Sequence, residues 1–238
     1  MTVHRHHASG TAESASTSLP GGREPTHIGP RLRAQREQMG LSLREVARRI
    51  GVSASLISQI ERDKVNPSVS TLYALVQELR LTMGDLFAVD EASLAPGPPR
   101  ADDAASPLVT PEQRAVINLA SGVTWARLTP SGDPTLEFLR VVYDVGSESC
   151  PADSLVRHGG KEYGYVLSGR LGVQIGFDEY DLGPGDAISF DSSVPHRLAN
   201  AGDEPVHGIW FVLGRQPFAV HAADGDDHWD PRPPAART

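Results

Sequence analysis

Two histidines and one glutamate in the C-terminal half of the chain could together hold a divalent metal ion. His158 and Glu162 bracket the segment Gly159-Gly160-Lys161, and His196 follows Pro195 much further along the chain. Imidazole and carboxylate groups bind Fe, Zn, Mn or Ni, and two histidines with one carboxylate leave coordination positions open for a ligand or for dioxygen. The spacing alone does not show that His196 reaches the other two side chains.

A second group of side chains, in the N-terminal part, could read DNA. Gln59 can form paired hydrogen bonds with adenine, and Arg62 can reach a guanine or a phosphate. Short side chains around Gln59 would let a helix approach the bases, while neighbouring basic and polar groups would contact phosphates. The predicted DNA-binding set is Arg36, Ser42, Arg44, Ser53, Ala54, Ser55, Ser58, Gln59, Arg62 and Lys64. The alternative is a helical bundle whose polar face is only solvated.

Two short helices would have to position this DNA-reading group. Apolar side chains recur at helical spacing in two stripes, Leu43, Val46, Ala47 and Ile50 in the first and Leu56, Ile57 and Ile60 in the second. Gly51 lies between them, where a positive φ costs least, and Ser53 is a good N-cap for the second helix. A short helix, a tight turn and a second helix with a small polar face predict a helix-turn-helix.

The metal-binding group lies in a region with a different pattern. Short runs of β-branched and aromatic residues, such as 138–143, 171–175 and 209–213, are bounded by Gly, Pro and Asp. Several such runs at short spacing predict an all-β barrel or sandwich. A strand starting at Tyr163 would carry the preceding Glu162 toward the core, and His196 would have to arrive from a distant strand.

Charge and composition restrict the class of protein. The net charge is −8, but nine basic and six acidic side chains between Thr26 and Ala88 give +3, and the other 13 basic and 24 acidic side chains give −11. A basic module on an acidic body is compatible with DNA binding, because only the docking face meets phosphates. No apolar run approaches the roughly 20 residues of a membrane span. The single cysteine, Cys150, fits a reducing cytoplasm.

The segment LSLREVARRIGVSASLISQIER, residues 41–62, resembles the helix-turn-helix of the phage-repressor (xenobiotic-response-element) family of regulators. The resemblance continues through Asn66-Pro67-Ser68, Thr71-Leu72 and residues 79–87. It implies a five-helix domain that binds two DNA half-sites as a homodimer, with Ser53 opening the recognition helix. It also implies that Arg36 pairs with Glu61 and braces the first helix against the recognition helix.

Two C-terminal segments resemble the two motifs of the cupin superfamily, a small antiparallel β-barrel with a central pocket. The first is HGGKEYGYVLSG, which begins at His158, and the second runs from Gly183-Pro184-Gly185-Asp186 to Asn200. The resemblance implies that His158, Glu162 and His196 converge as three of the four usual metal ligands. Val156 stands where the first motif usually has a further histidine.

The resemblances define a multidomain α and β chain. The predicted divisions are a disordered tail (1–25), a five-helix helix-turn-helix DNA-binding domain (26–88), a linker (89–111), a cupin sensor domain (112–215) and a C-terminal tail (216–238). The predicted effector pocket contains Arg140, Val156, His158, Glu162, Phe190, His196 and Phe211. Inward positions alternate along a strand, so Gly164 and Val166 should face the same way as Glu162. Tyr163 and Tyr165 should then pack between the barrel and a neighbour.

Three interpretations of the cupin pocket remain open. The first is a metal site that helps to hold an effector, and the second is a metal-free polar pocket for the same purpose. The third is a catalytic iron site, as in hydroxypropylphosphonate epoxidase, an enzyme that also joins a helix-turn-helix to a cupin and uses two histidines and one glutamate. The sequence shows no clear anion-binding cluster for a phosphonate, and we expect a regulator rather than an enzyme.

These observations predict a cytoplasmic, DNA-binding transcriptional regulator. Its partners would be a double-stranded operator, a small-molecule effector and a second copy of the chain. At most one divalent metal is expected as a cofactor.

Overall fold

The computed structural model describes residues 25–87, 107–130 and 136–214. Almost all of the predicted tail 1–25, most of the predicted linker 89–111 and the whole predicted tail 216–238 lie outside the described residues. In the part of the chain that is described, no helix has the length and apolar character needed to cross a membrane.

The described N-terminal part contains five α-helices. They are α1 (Gly29–Gln38), α2 (Leu43–Ile50), α3 (Ala54–Ile60), α4 (Val69–Glu78) and α5 (Met83–Phe87). Serine hydroxyls cap three of them, because Ser42, Ser53 and Ser68 accept hydrogen bonds from first-turn backbone N–H groups at 3.1–3.2 Å. Gly51 ends α2 with a φ of 76°, a left-handed conformation that favours glycine. The predicted helix-turn-helix is confirmed as α2 and α3.

Nine β-strands follow among the described residues. They are β1 (Val116–Asn118), β2 (Val123–Arg127), β3 (Leu136–Tyr143), β4 (Lys161–Ser168), β5 (Leu171–Ile175), β6 (Asp178–Leu182), β7 (Ala187–Asp191), β8 (His196–Ala199) and β9 (Val206–Leu213). Two short 3-10 turns, Pro111–Gln113 and Ala120–Gly122, flank β1.

The strands form two antiparallel sheets. The larger sheet has the order β1-β2-β3-β9-β4-β7 and the smaller has the order β6-β5-β8. The predicted fold class is confirmed, with the described strands arranged as a two-sheet sandwich and not as one closed barrel. Paired backbone hydrogen bonds of 3.0 and 2.8 Å between Val156 and His196 tie the segment before β4 to the smaller sheet.

Alternation along the strands decides which side chains enter the sandwich. Glu162, Gly164 and Val166 of β4 are buried, whereas Tyr163 and Tyr165 face outward, as a period of two residues requires. In β8, His196 and Leu198 are buried in the same way. The carboxylate and one imidazole therefore point into the interior from different sheets.

The helices and the sheets share one hydrophobic core. Buried side chains from α1 to α5 and from both sheets belong to a single cluster. Backbone hydrogen bonds also join the two parts, from the N–H of Ala120 to the carbonyl of Pro67 at 2.8 Å and from the N–H of Thr26 to the carbonyl of Val116 at 2.6 Å. The helical part and the strand part of the described chain are therefore in direct contact.

Candidate functional site

Helix α3 presents the predicted base-reading side chains. Its N-cap Ser53 accepts a hydrogen bond of 3.1 Å from the N–H of Leu56, which fixes where the helix begins. Ile57 and Ile60 anchor the opposite face in the core. Of the predicted set, Ser42, Arg44, Ser53, Ser55, Arg62 and Lys64 are exposed, and Ala54, Ser58 and Gln59 are half-buried.

Two of the long side chains on this face are held against α3. The guanidinium of Arg62 donates to the carbonyl of Ser58 at 2.9 Å. The amide nitrogen of Gln59 lies 3.5 Å from the hydroxyl of Ser55. Arg62 is exposed and Gln59 is half-buried, and both would have to leave these local contacts to reach bases, so their roles as base contacts stay predictions.

Arg36 does not fit its predicted place among the DNA contacts. It is only 8% exposed, and its guanidinium donates to both carboxylate oxygens of Glu61 at 2.6 and 2.8 Å and to the carbonyl of Leu41 at 2.9 Å. The predicted pairing of Arg36 with Glu61 is confirmed. The same pairing removes the guanidinium from the surface, so Arg36 supports the recognition helix and does not contact phosphate.

The three predicted metal ligands converge in the interior. His158, Glu162 and His196 are each less than 9% exposed, and their ligand atoms all lie within 4.8 Å of one another. Both imidazole Nε2 atoms face the same carboxylate oxygen, Oε1 of Glu162, at 2.9 Å for His158 and 3.2 Å for His196. The convergence that the cupin resemblance implied is therefore present.

Backbone carbonyls fix which imidazole nitrogen faces the carboxylate. Nδ1 of His158 lies 3.1 Å from the carbonyl of Gly159, and Nδ1 of His196 lies 2.9 Å from the carbonyl of Val194. A carbonyl oxygen only accepts, so each Nδ1 carries a proton, and in its neutral form each ring turns an Nε2 lone pair toward Glu162. Lone pairs that converge on a carboxylate repel one another unless a cation lies between them or the rings are themselves protonated. The arrangement fits a divalent metal, whose histidine ligands usually donate their other N–H in this way.

The carboxyl group of Glu162 is ionised at neutral pH. Burial raises its pKa, but hydrogen bonding and charge from His158 and His196 outweigh burial and lower the pKa well below its usual range. Its Oε1 atom has no other hydrogen-bond partner. That oxygen is therefore available to a metal ion or to two protonated imidazoles.

Trp210, which the sequence analysis did not single out, orients the carboxylate. Its indole N–H donates to Oε2 of Glu162 at 2.6 Å, which leaves Oε1 for the histidines. The indole lies over Gly164, where an added Cβ would come within 2.1 Å of the ring. Gly164, two residues after Glu162 in the first cupin motif, is the sequence signal for this contact, because a side chain there would overlap the ring.

The remaining predicted pocket residues divide into two groups. Val156 lines the cavity, and the ring of Phe190 lies 5.0 Å from the ring of His196. Arg140 and Phe211 are on the other face of the larger sheet, so their prediction as pocket lining is corrected. In β3 and β9 the neighbours at 139, 141, 210 and 212 line the cavity, and strand alternation therefore turns positions 140 and 211 outward.

Comparisons with known proteins agree with this architecture. Residues 32–86 match the helix-turn-helix family and residues 139–212 match the cupin domain family. The chain is 30% identical to the HTH-type transcriptional regulator PuuR of Escherichia coli K12 over 72% of this chain and 86% of that protein. It is 27% identical to the regulator SutR of the same organism over 74% of this chain and 88% of that protein.

A solved structure extends the agreement to the fold. The crystal structure of an HTH_3 family transcriptional regulator from Vibrio cholerae superposes with a TM-score of 0.55 and 25% identity, covering 80% of this chain and 97% of that chain. Fold and matches together define a DNA-binding protein that carries a cupin domain. The chain belongs to the family of helix-turn-helix transcriptional regulators.

Proposed function

We propose that this regulator binds a two-half-site operator as a homodimer and that its cupin pocket binds a small-molecule effector that changes operator affinity. Half-sites of a dimeric helix-turn-helix lie about 34 Å apart. A modest change in the separation or orientation of the two recognition helices would therefore prevent simultaneous docking. An operator-binding role also agrees with the expected cytoplasmic location.

The exposure of one face of α3 is the observation that supports the DNA-binding part of the proposal. One face of α3 is fixed in the core, the other offers hydroxyls and an amide, and the exposed guanidinium of Arg62 follows just after the helix. Small residues at its N-terminus permit close approach to the major groove. The exposed side chains of Arg44 and Lys64 supply positive charge beside it.

Selection of an operator from random duplexes tests this part. Gln59→Ala should lower the preference for the selected sequence by about 1–3 kcal/mol, because it removes a base contact. Arg44→Ala should weaken selected and unselected duplexes alike and reduce the salt slope by about 1, because it removes a phosphate contact. Arg170→Ala, on the exposed surface of the cupin half, is the control. Equal affinity of the native chain for all duplexes would contradict the proposal.

The buried trio supports a metal at the floor of the effector pocket. His158, Glu162 and His196 would hold it, with Trp210 and two backbone carbonyls orienting these ligands. A bound divalent metal would act as a Lewis acid toward an oxygen of the effector. The chain itself would position the donor atoms and keep bulk water away through its apolar walls.

The outer face of the larger sheet supports dimerisation through the cupin half. Tyr163, Tyr165 and Leu167 of β4 are 38%, 45% and 48% exposed. The two tyrosines border a mostly apolar groove of about 360 Å³ that also includes Ile188 and Ile209. A contiguous apolar patch on a soluble domain is typical of a protein interface, and a second copy of this chain is the occupant that a two-half-site operator requires.

Two histidines and one glutamate also occur in non-haem iron enzymes, so an iron-dependent oxidoreductase is the second candidate function. Its distinguishing property would be oxygen consumption by the ferrous-loaded protein with a turned-over substrate. We propose that the chain is a regulator and not an enzyme. Substrate-dependent oxygen uptake that His196→Ala abolishes would contradict this part of the proposal.

A further inference from the structure

The DNA-binding half contributes to the wall of the cupin pocket. Val69 and Tyr73 of α4 line the same cavity as His158, Glu162 and His196. These two α4 residues are four positions apart and therefore lie on one face of the helix. The pocket is thus completed by a helix that belongs to the helix-turn-helix domain.

The ring of Tyr73 contacts two aromatic groups of the pocket. Its centroid lies 4.8 Å from the ring of His158 and 5.5 Å from the ring of Trp125, with tilted planes in both cases. Such distances are within the favourable range for aromatic pairs. One side chain of the DNA-binding half therefore rests directly on a predicted metal ligand.

The space left beneath Tyr73 is small. The free volume of the cavity is about 30 Å³, enough for one or two water molecules and too small for an organic molecule. A metal ion fits this volume, but an effector that is also bound there needs part of the wall to move. Tyr73 is only partly buried and lies on a separate element from the cupin strands, so its displacement does not require the sheets to open.

We infer that Tyr73 is a ligand-contact residue which closes the cupin pocket, and that an effector must displace its ring from His158. The effector class follows from the walls, which are mainly aliphatic and aromatic, including Leu139, Val141 and Val212. Among the described lining residues there is no lysine or arginine, which disfavours a multiply charged anion. The pocket suits a small, mostly apolar molecule with one oxygen donor directed at the histidines.

Displacement of Tyr73 would be transmitted to the DNA-binding helices through α4. The other buried side chains of α4 pack in the helical core, namely Leu72, Leu75 and Val76. Its N-terminus is tied to the cupin half, because the carbonyl of Pro67 accepts from the N–H of Ala120 at 2.8 Å. A rigid helix that is packed on both sides cannot accommodate a moved ring by local adjustment alone. This step rests on the proposed function of the cupin pocket as the effector site.

Benzyl alcohol is a suitable probe, because it joins an apolar ring to one hydroxyl oxygen and brings no negative charge beside the carboxylate of Glu162. Its binding can be followed by tryptophan emission of the full chain, since Trp125 and Trp210 both line the cavity. Tyr73→Ala should bind benzyl alcohol about tenfold more tightly than the native chain, because the aromatic contacts no longer have to be broken. Tyr73→Phe keeps the ring contacts with His158 and Trp125 and should therefore bind less tightly than Tyr73→Ala. Tyr180→Ala removes an exposed tyrosine of β6 and is the matched control.

Amide hydrogen exchange in the same proteins measures whether displacement of Tyr73 affects α4. Saturating benzyl alcohol should accelerate amide exchange in residues 69–78 of the native chain and leave that segment unchanged in Tyr73→Ala. Equal affinity of the native chain and Tyr73→Ala for benzyl alcohol, or exchange in α4 that does not respond to benzyl alcohol, would overturn the inference. Neither measurement needs metal or DNA. Failure to bind an operator or a metal would therefore contradict the proposed function and leave the test of Tyr73 unaffected.

Discussion

At the scale of single residues, the cupin pocket depends on side chains that orient other side chains. The motif resemblance predicted His158, Glu162 and His196, because each stands at a ligand position of a known pattern. It could not predict Trp210, which reaches Glu162 from a strand distant in sequence. It also could not predict Tyr73, since contact between two domains leaves no periodic pattern in either of them.

The proposed metal ligands can be tested by removing one imidazole. His196→Ala should lower the affinity for Zn or Fe by more than the roughly 10–100-fold that loss of an outer hydrogen-bond partner costs, because only two ligands would remain. Bound metal is measured by elemental analysis of the untagged protein after reconstitution with Fe, Zn, Mn or Ni. His207→Ala is the control, since that histidine lies beside Arg140 outside the pocket. If the native chain holds no metal after reconstitution, the pocket is metal-free.

The position of Trp210 can be tested through Gly164. In Gly164→Ala the new methyl group would overlap the indole, whose nearest atom lies 2.1 Å from the added Cβ. The ring must move away from Glu162, so we expect about 1–3 kcal/mol of destabilisation from overpacking and weaker metal binding. Thermal unfolding and metal titration measure the two effects.

Gly172→Ala is the matched control for Gly164→Ala. It adds the same methyl group to another strand of the cupin half, where the nearest atom is 3.4 Å away. We expect little change in stability or metal affinity. Equal metal affinity in the two variants would show that the indole does not orient Glu162.

At the scale of elements, local signals were sufficient for the helices but not for the strands. Ser53, Gly51 and the apolar stripe of α3 lie within a few residues of one another, so the sequence alone locates the helix-turn-helix. The run 138–143 is mostly apolar, and nothing local indicates which positions face inward. Arg140 was therefore assigned to the wrong face, and the division of the strands into two sheets depends on pairings between distant segments.

The brace between α1 and the recognition helix is testable by removing one charge. Arg36→Met leaves the carboxylate of Glu61 buried without its bidentate partner, and breaking such a buried pair costs about 3–5 kcal/mol. Chemical unfolding would measure this loss. Arg33→Met also breaks an ion pair of α1, with Glu37, but both of those side chains are more than half exposed. Its loss should be at most about 1 kcal/mol, and similar losses in both variants would argue against a structural brace.

At the scale of the whole molecule, the helical half and the rest of the chain differ in the sign of their net charge. Residues 26–88 carry +3 and the rest of the chain −11, so attraction to phosphates comes from the helical half alone. A single domain with so small a positive charge has modest electrostatic attraction to DNA. In the proposed dimer the second copy would supply the remaining operator affinity, and the acidic cupin half, which repels DNA, would make the contact between the copies.

A substitution on the exposed face of β4 tests the proposed dimer without changing any residue that is predicted to contact DNA. Tyr165→Glu places a charge in the apolar groove of the larger sheet, and burying an unpaired charge at an interface is costly. Analytical ultracentrifugation should show a monomer, and affinity for a two-half-site operator should fall by about 100-fold or more, because linkage of the two copies is lost. A single half-site should be bound as before, since α3 is untouched.

Phe177→Glu is the control for Tyr165→Glu, because Phe177 is fully exposed at the turn between β5 and β6 of the other sheet. If Tyr165→Glu stays dimeric, the dimer interface does not include this face of β4. If the variant is a monomer that keeps full operator affinity, operator binding does not depend on dimerisation.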